Sequence, residues 1–167
     1  YQFEADQYII TLESKEIADS TRPGQFVHLS VSGMLAMRRP ISVMSVDIEN
    51  GTFDLLYKIV GEGTKQLAER KIGDVLSVIG PIGNGFELTD RKIPLLIGGG
   101  VGMPPMIAIA QKIKDNAYYN PYVILGSEVP FPFEASQSSL SGFNSSKFYT
   151  MPLLEEWRVP CGLASLQ

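Results

Sequence analysis

The run IPLLIGGGVGMPPM, Ile93 to Met106, constrains the fold of this chain more than any other segment. A short apolar stretch (Ile93, Leu95, Leu96, Ile97) leads straight into Gly98, Gly99, Gly100 and Gly102, then into a helix-like segment, Met103 to Lys114. A buried strand that breaks at glycines and restarts as a helix is a receptacle for a phosphate or pyrophosphate. The glycines let the backbone approach the oxygens, and free N–H groups and the helix dipole favour negative charge. The spacing departs from G-x-G-x-x-G, because Met103 stands where the third glycine belongs. Taken alone, the segment also suits a structural turn with no ligand.

Composition narrows the classes. At 167 residues the chain is one large domain or two small ones, long enough to bury a sizeable core. A net charge of -4 and the lack of a Lys/Arg cluster argue against a nucleic-acid partner. The single cysteine, Cys161, excludes an internal disulfide framework and any multi-cysteine metal or iron–sulfur site within these residues. No stretch approaches the ~20 apolar residues needed to span a bilayer, and the N-terminus does not read as a signal peptide. A cytoplasmic protein with no membrane partner is the expectation. The sequence opens on Tyr1 rather than Met, so its true start is expected to lie upstream.

The pattern changes near the middle. Tyr8 to Leu12, Phe26 to Val31, Ile41 to Val46, Phe53 to Val60 and Val75 to Ile79 read as short strands. Turn signals at Pro23-Gly24, Glu49-Asn50-Gly51 and Gly73-Asp74 punctuate them. Alternation at this spacing predicts a small antiparallel barrel or sandwich. After Arg91 a buried strand (Ile93 to Ile97), a helix (about Pro105 to Lys114) and a second apolar strand (Tyr122 to Leu125) form a β-α-β unit with parallel strands. The fold class is thus an antiparallel barrel, about residues 1–90, followed by a parallel α/β unit, 91–167. Glu128 to Ser146 reads as a long irregular loop, Pro152 to Trp157 as a short helix and Leu163 to Leu166 as the start of a third strand. Two or three parallel strands make a thin sheet, so the second unit is expected to be incomplete.

Four features carry chemistry. In Arg38-Arg39-Pro40-Ile41-Ser42, the fixed φ of the proline aims Arg39 in one direction, suitable for a bidentate grip on a phosphate. Ser42 adds a hydroxyl able to donate or accept. A solvated basic pair at a strand edge is the plain alternative. Gly61-Glu62-Gly63-Thr64 opens a short amphipathic helix over Lys65 to Arg70, with Thr64 as cap or phosphate donor. Gly80-Pro81-Ile82-Gly83-Asn84-Gly85-Phe86 is a dense turn between the halves, either linker punctuation or a loop passing close to a ligand. The Gly98 run is the fourth. Two anion cradles and a rigid arginine, split between the halves, suit two phosphorylated cofactors that meet.

In this order the motifs resemble the ferredoxin–NADP reductase superfamily. RRPIS, LYKIVGEGT (Leu56 to Thr64), GPIGNGF and LLIGGGVGMPPM are similar, more narrowly, to the electron-transfer subunits of dihydroorotate dehydrogenase, from about Pro23 to Gly126. The resemblance implies FAD on the barrel and a nicotinamide nucleotide, NAD or NADP, on the second unit. It places Arg39 on the pyrophosphate, with Pro40, Ile41 and Ser42 along the flavin. Leu56, Tyr57 and Lys58 would contact FAD, and Gly63 and Thr64 would hold its phosphate. Gly98, Gly99, Gly100, Val101 and Gly102 would receive the nicotinamide-nucleotide pyrophosphate. Many superfamily members have Tyr two residues after the Arg, whereas Ile41 matches the dihydroorotate branch.

The resemblance also implies an oxidoreductase of pyrimidine biosynthesis whose partner is a catalytic dehydrogenase or another redox subunit. Hydride transfer needs no protein nucleophile, which agrees with the lack of a catalytic triad or paired carboxylates. The family's 2Fe–2S cluster sits on cysteines near the C-terminus, and those positions are not in this sequence. Cys161 reads instead as a small buried residue ahead of a strand. A C-terminally truncated fragment, not fully active by itself, is therefore expected, and any cluster would lie in the missing segment. A diaphorase or hydrogenase-type reductase subunit is the alternative enzyme, and a degenerate barrel that binds a partner without flavin the non-catalytic one. Among single residues, His28 reads as structural, Glu155-Glu156 as a solvated helix face, and Phe131, Phe133, Phe143, Phe148 and Trp157 as packing under the loop or an aromatic partner surface.

Overall fold

Alternating burial makes the first half a sheet. A computed structural model describes residues 1–31, 37–140 and 148–165. It begins with β1 (Gln2–Phe3), β2 (Gln7–Glu13), α1 (Lys15–Ser20), β3 (Phe26–Ser30), β4 (Arg39–Asp47), β5 (Thr52–Lys58), α2 (Glu62–Ala68) and β6 (Ser77–Ile82). The strands lie in the order β1-β2-β5-β4-β3-β6, every pairing antiparallel. Val27, Leu29, Val43, Phe53 and Leu55 form a core with Ile17 of α1 and Leu67 of α2. Tyr8, Ile10 and Leu12 from β2 pack on the same core as Val78 from β6. Strands near opposite edges share one interior, so the sheet curls into a barrel-like layer.

Two boundaries move for local reasons. The turn at Gly73, with φ of 94°, closes through Asp74 N–H to Lys71 C=O and Lys71 N–H to the Asp74 carboxylate. It leaves Val75 exposed, and pairing starts only where Ser77 meets Ser30. β5 stops at Lys58, opposite Gln7, and the chain then turns into α2. Sequence reading passes over α1 altogether. Six residues are too few to show a period, yet Ser14 caps the helix through Ile17 N–H, and the Thr21 hydroxyl returns to Ile17 C=O.

The second half holds β7 (Leu95–Gly99), a single 3₁₀ turn (Gly100–Gly102), α3 (Met103–Ile113), β8 (Tyr122–Ser127), β9 (Ser136–Gln137), β10 (Tyr149–Thr150), α4 (Pro152–Glu156) and β11 (Cys161–Ser165). β7, β8 and β11 form a parallel sheet in the order β11-β8-β7. α3 buries Met103, Ile107, Ala110 and Ile113 between this sheet and the barrel. The third strand begins at Cys161, two residues before the sequence suggests, because Cys161 pairs with Val123. The expected end at Leu166 lies outside the described residues, as does Phe143.

The 128–146 segment is not wholly irregular. β9 pairs with β10 across it, and the Glu155 carboxylate accepts from Ser139 N–H and from the hydroxyls of Ser138 and Ser139. Glu155 is therefore a loop anchor rather than a solvated residue. Slight burial pushes its carboxyl pKa up, but the bonds from Ser139 and Ser138 outweigh that and hold it below the usual carboxylate value. Phe131 and Phe133 stack at 5.1 Å and pack, with Trp157, against the α3 core.

Phe53, 1% exposed on β5, is the largest fully buried side chain of the barrel core. Phe53→Ala is expected to cost about 3–5 kcal/mol in denaturant unfolding, by lost transfer energy and the cavity left behind. A change near zero would show that the barrel core does not carry the stability of this half.

Candidate functional site

The arginine motif divides its two guanidinium groups between two tasks. Arg38 donates to Ser77 C=O at 3.0 Å, to the Ser77 hydroxyl at 2.9 Å and to His28 C=O at 3.4 Å, tying the start of β4 across β3 to β6. Arg39, half-buried, points the other way, against the start of α2. A Cβ at Gly63 would lie 2.0 Å from Arg39 Nε and 2.5 Å from Cζ. Residue 63 must therefore be glycine for the guanidinium to lie there. Two motifs separated by more than twenty residues meet at this point. Ahead of Lys65, whose N–H is taken by Gly61 C=O, the first-turn N–H groups of Glu62, Gly63 and Thr64 have no carbonyl within their helix to bond. Beside the Arg39 cation they make a place for a phosphate.

Thr64 takes the capping role. Its hydroxyl accepts from Val60 N–H at 3.0 Å and Gly61 N–H at 3.3 Å, and donates to Gly61 C=O at 3.0 Å. One donor and two lone pairs are then spent within the turn. Thr64 can offer a ligand its backbone N–H but not its hydroxyl. Pro40 is exposed, Ser42 is half-buried, and Ile41 between them is 7% exposed within the barrel core. Strand alternation turns the Ile41 side chain inward, where it supports the sheet, and leaves its backbone for a ligand.

A second grouping lies at the end of β5, the strand that leads into α2. Leu56, Tyr57 and Lys58 of β5 share a cleft of about 700 Å³ with Gly99, Gly100 and Val101. The C-terminal ends of β8 and β11 complete it with Gly126, Ser127 and Ser165, and Gln7 closes it from the barrel. Ligands of open parallel sheets gather at such strand ends. These lining residues have no motif of their own and are found only through the sheet order. Gly98 and Gly102 stand behind the lining. A Cβ on Gly98 would come within 2.7 Å of Gly102 C=O, so glycine there permits the tight return of the chain. Gly100, at φ of 51°, sits in the left-handed region, and Val101 is 77% exposed beside it.

The donors of this cradle come from the turn rather than the helix. Pro104 and Pro105 have no N–H, and Met103 N–H is taken by Gly100 C=O. Gly102 N–H closes the 3₁₀ turn onto Gly99 C=O, which leaves the N–H groups of Gly100 and Val101 at the mouth. The GPIGNGF segment does not line the cleft. Its glycines let it pass closely over the barrel, where a Cβ on Gly80 would strike Val27 at 2.6 Å and one on Gly85 would strike Arg22 at 2.7 Å.

Two further residues are structural. His28 packs 5.4 Å from the Phe26 ring on β3. Cys161 is fully buried, and burial pushes its thiol pKa up. A protonated, enclosed thiol does not suit an iron–sulfur cluster. Among the described residues no three His, Cys, Asp or Glu side chains gather as a metal site, and no helix is long and apolar enough to cross a membrane.

Residues 4–86 match the model of the oxidoreductase FAD-binding domain. Over 111 residues the chain is 41% identical to the dihydroorotate dehydrogenase B (NAD(+)) electron transfer subunit of Bacillus cereus strain B4264, covering 64% of this chain and 43% of that protein. The subunit of the same name from Bacillus anthracis strain CDC 684 is 40% identical over the same length. The chain thus spans less than half the length of these curated relatives. Among solved structures, an NADH-dependent reduced ferredoxin–NADP oxidoreductase superposes with a TM-score of 0.72 at 27% identity, over 96% of this chain and 52% of that one. The ferredoxin–NADP+ reductase of Plasmodium falciparum, at 15% identity and a TM-score of 0.64 over 95% of this chain and 62% of that one, shares the fold.

Tyr57 offers a direct probe of the cleft floor. Burial pushes its phenol up to about 12, with a smaller contribution from Tyr8 stacked 5.6 Å away. Because the folded value lies above the unfolded one, near 10, its stabilisation is full below about pH 10 and lost as pH rises toward 12. Spectrophotometric titration is expected to show one late tyrosine that disappears in Tyr57→Phe. A variant with the wild-type titration curve would contradict the burial of this ring.

Proposed function

We propose that this chain is the flavin-carrying part of an electron-transfer oxidoreductase, a reading supported by the match of residues 4–86 to the oxidoreductase FAD-binding domain. Residues 1–90 form the FAD-binding unit and residues 91–167 the nicotinamide-nucleotide unit. The observation that carries the reading is the Arg39 guanidinium lying where a side chain at residue 63 would be. It is supported by the cleft that sets Leu56, Tyr57 and Lys58 opposite Gly99, Gly100 and Val101.

The residues fit a dinucleotide. Arg39 and the N–H groups of Gly63 and Thr64 hold the FAD pyrophosphate, while Pro40, Ser42 and the Ile41 backbone lie along the flavin. Leu56 and Tyr57 give an apolar wall that keeps water from the reacting face, and Lys58 stands at its rim. The N–H groups of Gly100 and Val101 take the pyrophosphate of NAD(H) or NADP(H), with Gly98, Gly99 and Gly102 shaping the turn beneath. Bound FAD supplies hydride exchange with the nicotinamide and passage of electrons onward. The protein's own task is to orient the two rings and exclude water.

The names of the relatives point to a catalytic dehydrogenase subunit as the partner, in pyrimidine biosynthesis. We place the protein in the cytoplasm, with neither nucleic acid nor membrane as a partner. A 2Fe–2S cluster has no fitting residues here, since Cys161 is the one cysteine and is enclosed.

Visible absorbance of the chain titrated with FAD tests the reading. Flavin bands near ~450 nm that co-purify or saturate, and that bleach with NADH, are the expected result. Arg39→Ala is expected to weaken FAD binding about 10–100-fold, the loss of one to two charge-assisted hydrogen bonds. Gly63→Ala is expected to do the same by displacing the guanidinium. A chain that stays colourless under excess FAD would overturn the proposal in favour of a barrel that binds a partner without flavin.

A further inference from the structure

The contact between barrel and parallel sheet is largely apolar. Met44 of β4 and Leu56 of β5 share one buried cluster with Leu96, Met103, Ile107 and Ala110. Apolar contact has no preferred direction. It holds α3 against the barrel without fixing how far the helix slides along it.

Gln111 supplies the direction. Its Oε1 accepts from Val46 N–H at 3.0 Å, and its Nε2 donates to Val46 C=O at 2.8 Å. Both backbone groups of one residue are met by one side-chain amide, as a neighbouring strand would meet them. The reason lies in the sheet. β3 pairs with β4 only from Arg39 to Ser42, and Val43 N–H goes to Gln25 C=O. Past that point β4 keeps β5 on one side and presents its other edge to α3. Gln111 fills that edge at Val46.

The position of this clamp matters for the cleft. Gln111 stands on the same helix whose N-terminus follows the Gly100–Gly102 turn, and eight residues (111 − 103) from its first residue, Met103. That is ~12 Å along the axis, so a slip or tilt at Gln111 is carried rigidly to the turn. We propose that Gln111 is a positioning residue that holds the glycine turn in place opposite Leu56, Tyr57 and Lys58, and thereby sets the approach of nicotinamide to flavin. This inference rests on the function proposed above. Gln7, which donates to Pro130 C=O at 2.7 Å, ties the barrel to the second half from the other side of the cleft.

Two readouts test it. Spin labels at Glu69→Cys and Ala117→Cys, both exposed, report the distance between the halves, and the buried Cys161 stays unlabelled. In Gln111→Leu, which replaces the amide by an apolar side chain of similar size, the distance distribution is expected to broaden or shift. The rate at which NADH bleaches bound FAD is expected to fall at least tenfold in kcat, while KM for NADH and the affinity for FAD stay as in the wild type. Gln111→Glu turns a carboxylate on Val46 C=O and is expected to act in the same direction, which guards against a folding defect peculiar to the first variant. An unchanged distance distribution in both variants overturns the clamp. A broadened distribution with unchanged kcat overturns its part in positioning. If the wild-type chain takes up FAD but NADH does not bleach it, the functional reading fails, and the distance distribution alone judges the clamp.

Discussion

One helix covers two sheets, and the arrangement of the molecule depends on it. α3 turns Met103, Ile107, Ala110 and Ile113 into a core that takes Leu96, Val123 and Leu125 from the parallel sheet and Met44 and Leu56 from the barrel. A parallel β-α-β unit needs a helix on its face to bury the strands. Here the same helix also covers the outside of β4 and β5, so the two halves cannot separate without exposing that core. The cleft is a consequence. The helix enters from a glycine turn, and its packing against β4 brings that turn to the end of β5, the strand that leads to α2.

The second constraint is steric. β4 starts with an arginine whose guanidinium needs the volume of a missing side chain on α2. Gly63 therefore couples the two motifs physically, and the Thr64 hydroxyl, committed to Val60 and Gly61, holds the turn in shape while the backbone N–H groups stay directed outward. Charge, free donors and a rigid turn meet where neither motif alone would hold an anion well. The Gly98–Gly102 turn works differently. Its helix begins with Pro104 and Pro105, so its donors are those of the 3₁₀ turn and not of the helix proper.

Much of this was legible in the residues, and the rest was hidden for identifiable reasons. The barrel strands show in the alternation around Val27, Leu29, Val43, Phe53 and Leu55, because one face of each is buried. The β-α-β unit shows because an apolar run breaks at Gly98 where the chain must turn, although β7 is buried on one face only, with Leu96 inward and Leu95 and Ile97 exposed. Period could not reveal α1, six residues held by the Ser14 cap, or the two-residue ladder of β9 and β10. Strand alternation, applied residue by residue, would have turned Ile41 inward. The spending of the Thr64 hydroxyl and the Gln111 clamp on Val46 depend on partners that only the folded chain supplies. The cleft residues at the ends of β8 and β11 depend in the same way on sheet order.

On the function proposed above, the barrel recognises a flavin by its phosphates, through Arg39 and the start of α2. Comparing the affinities of the chain for FAD and for riboflavin, which has the same ring without phosphate, by flavin fluorescence tests it most directly. FAD is expected to bind at least about tenfold more tightly, one charge-assisted contact being worth ~1.5–3 kcal/mol, and Arg39→Ala is expected to remove most of the difference. Equal affinities for the two flavins in the wild-type chain would contradict it.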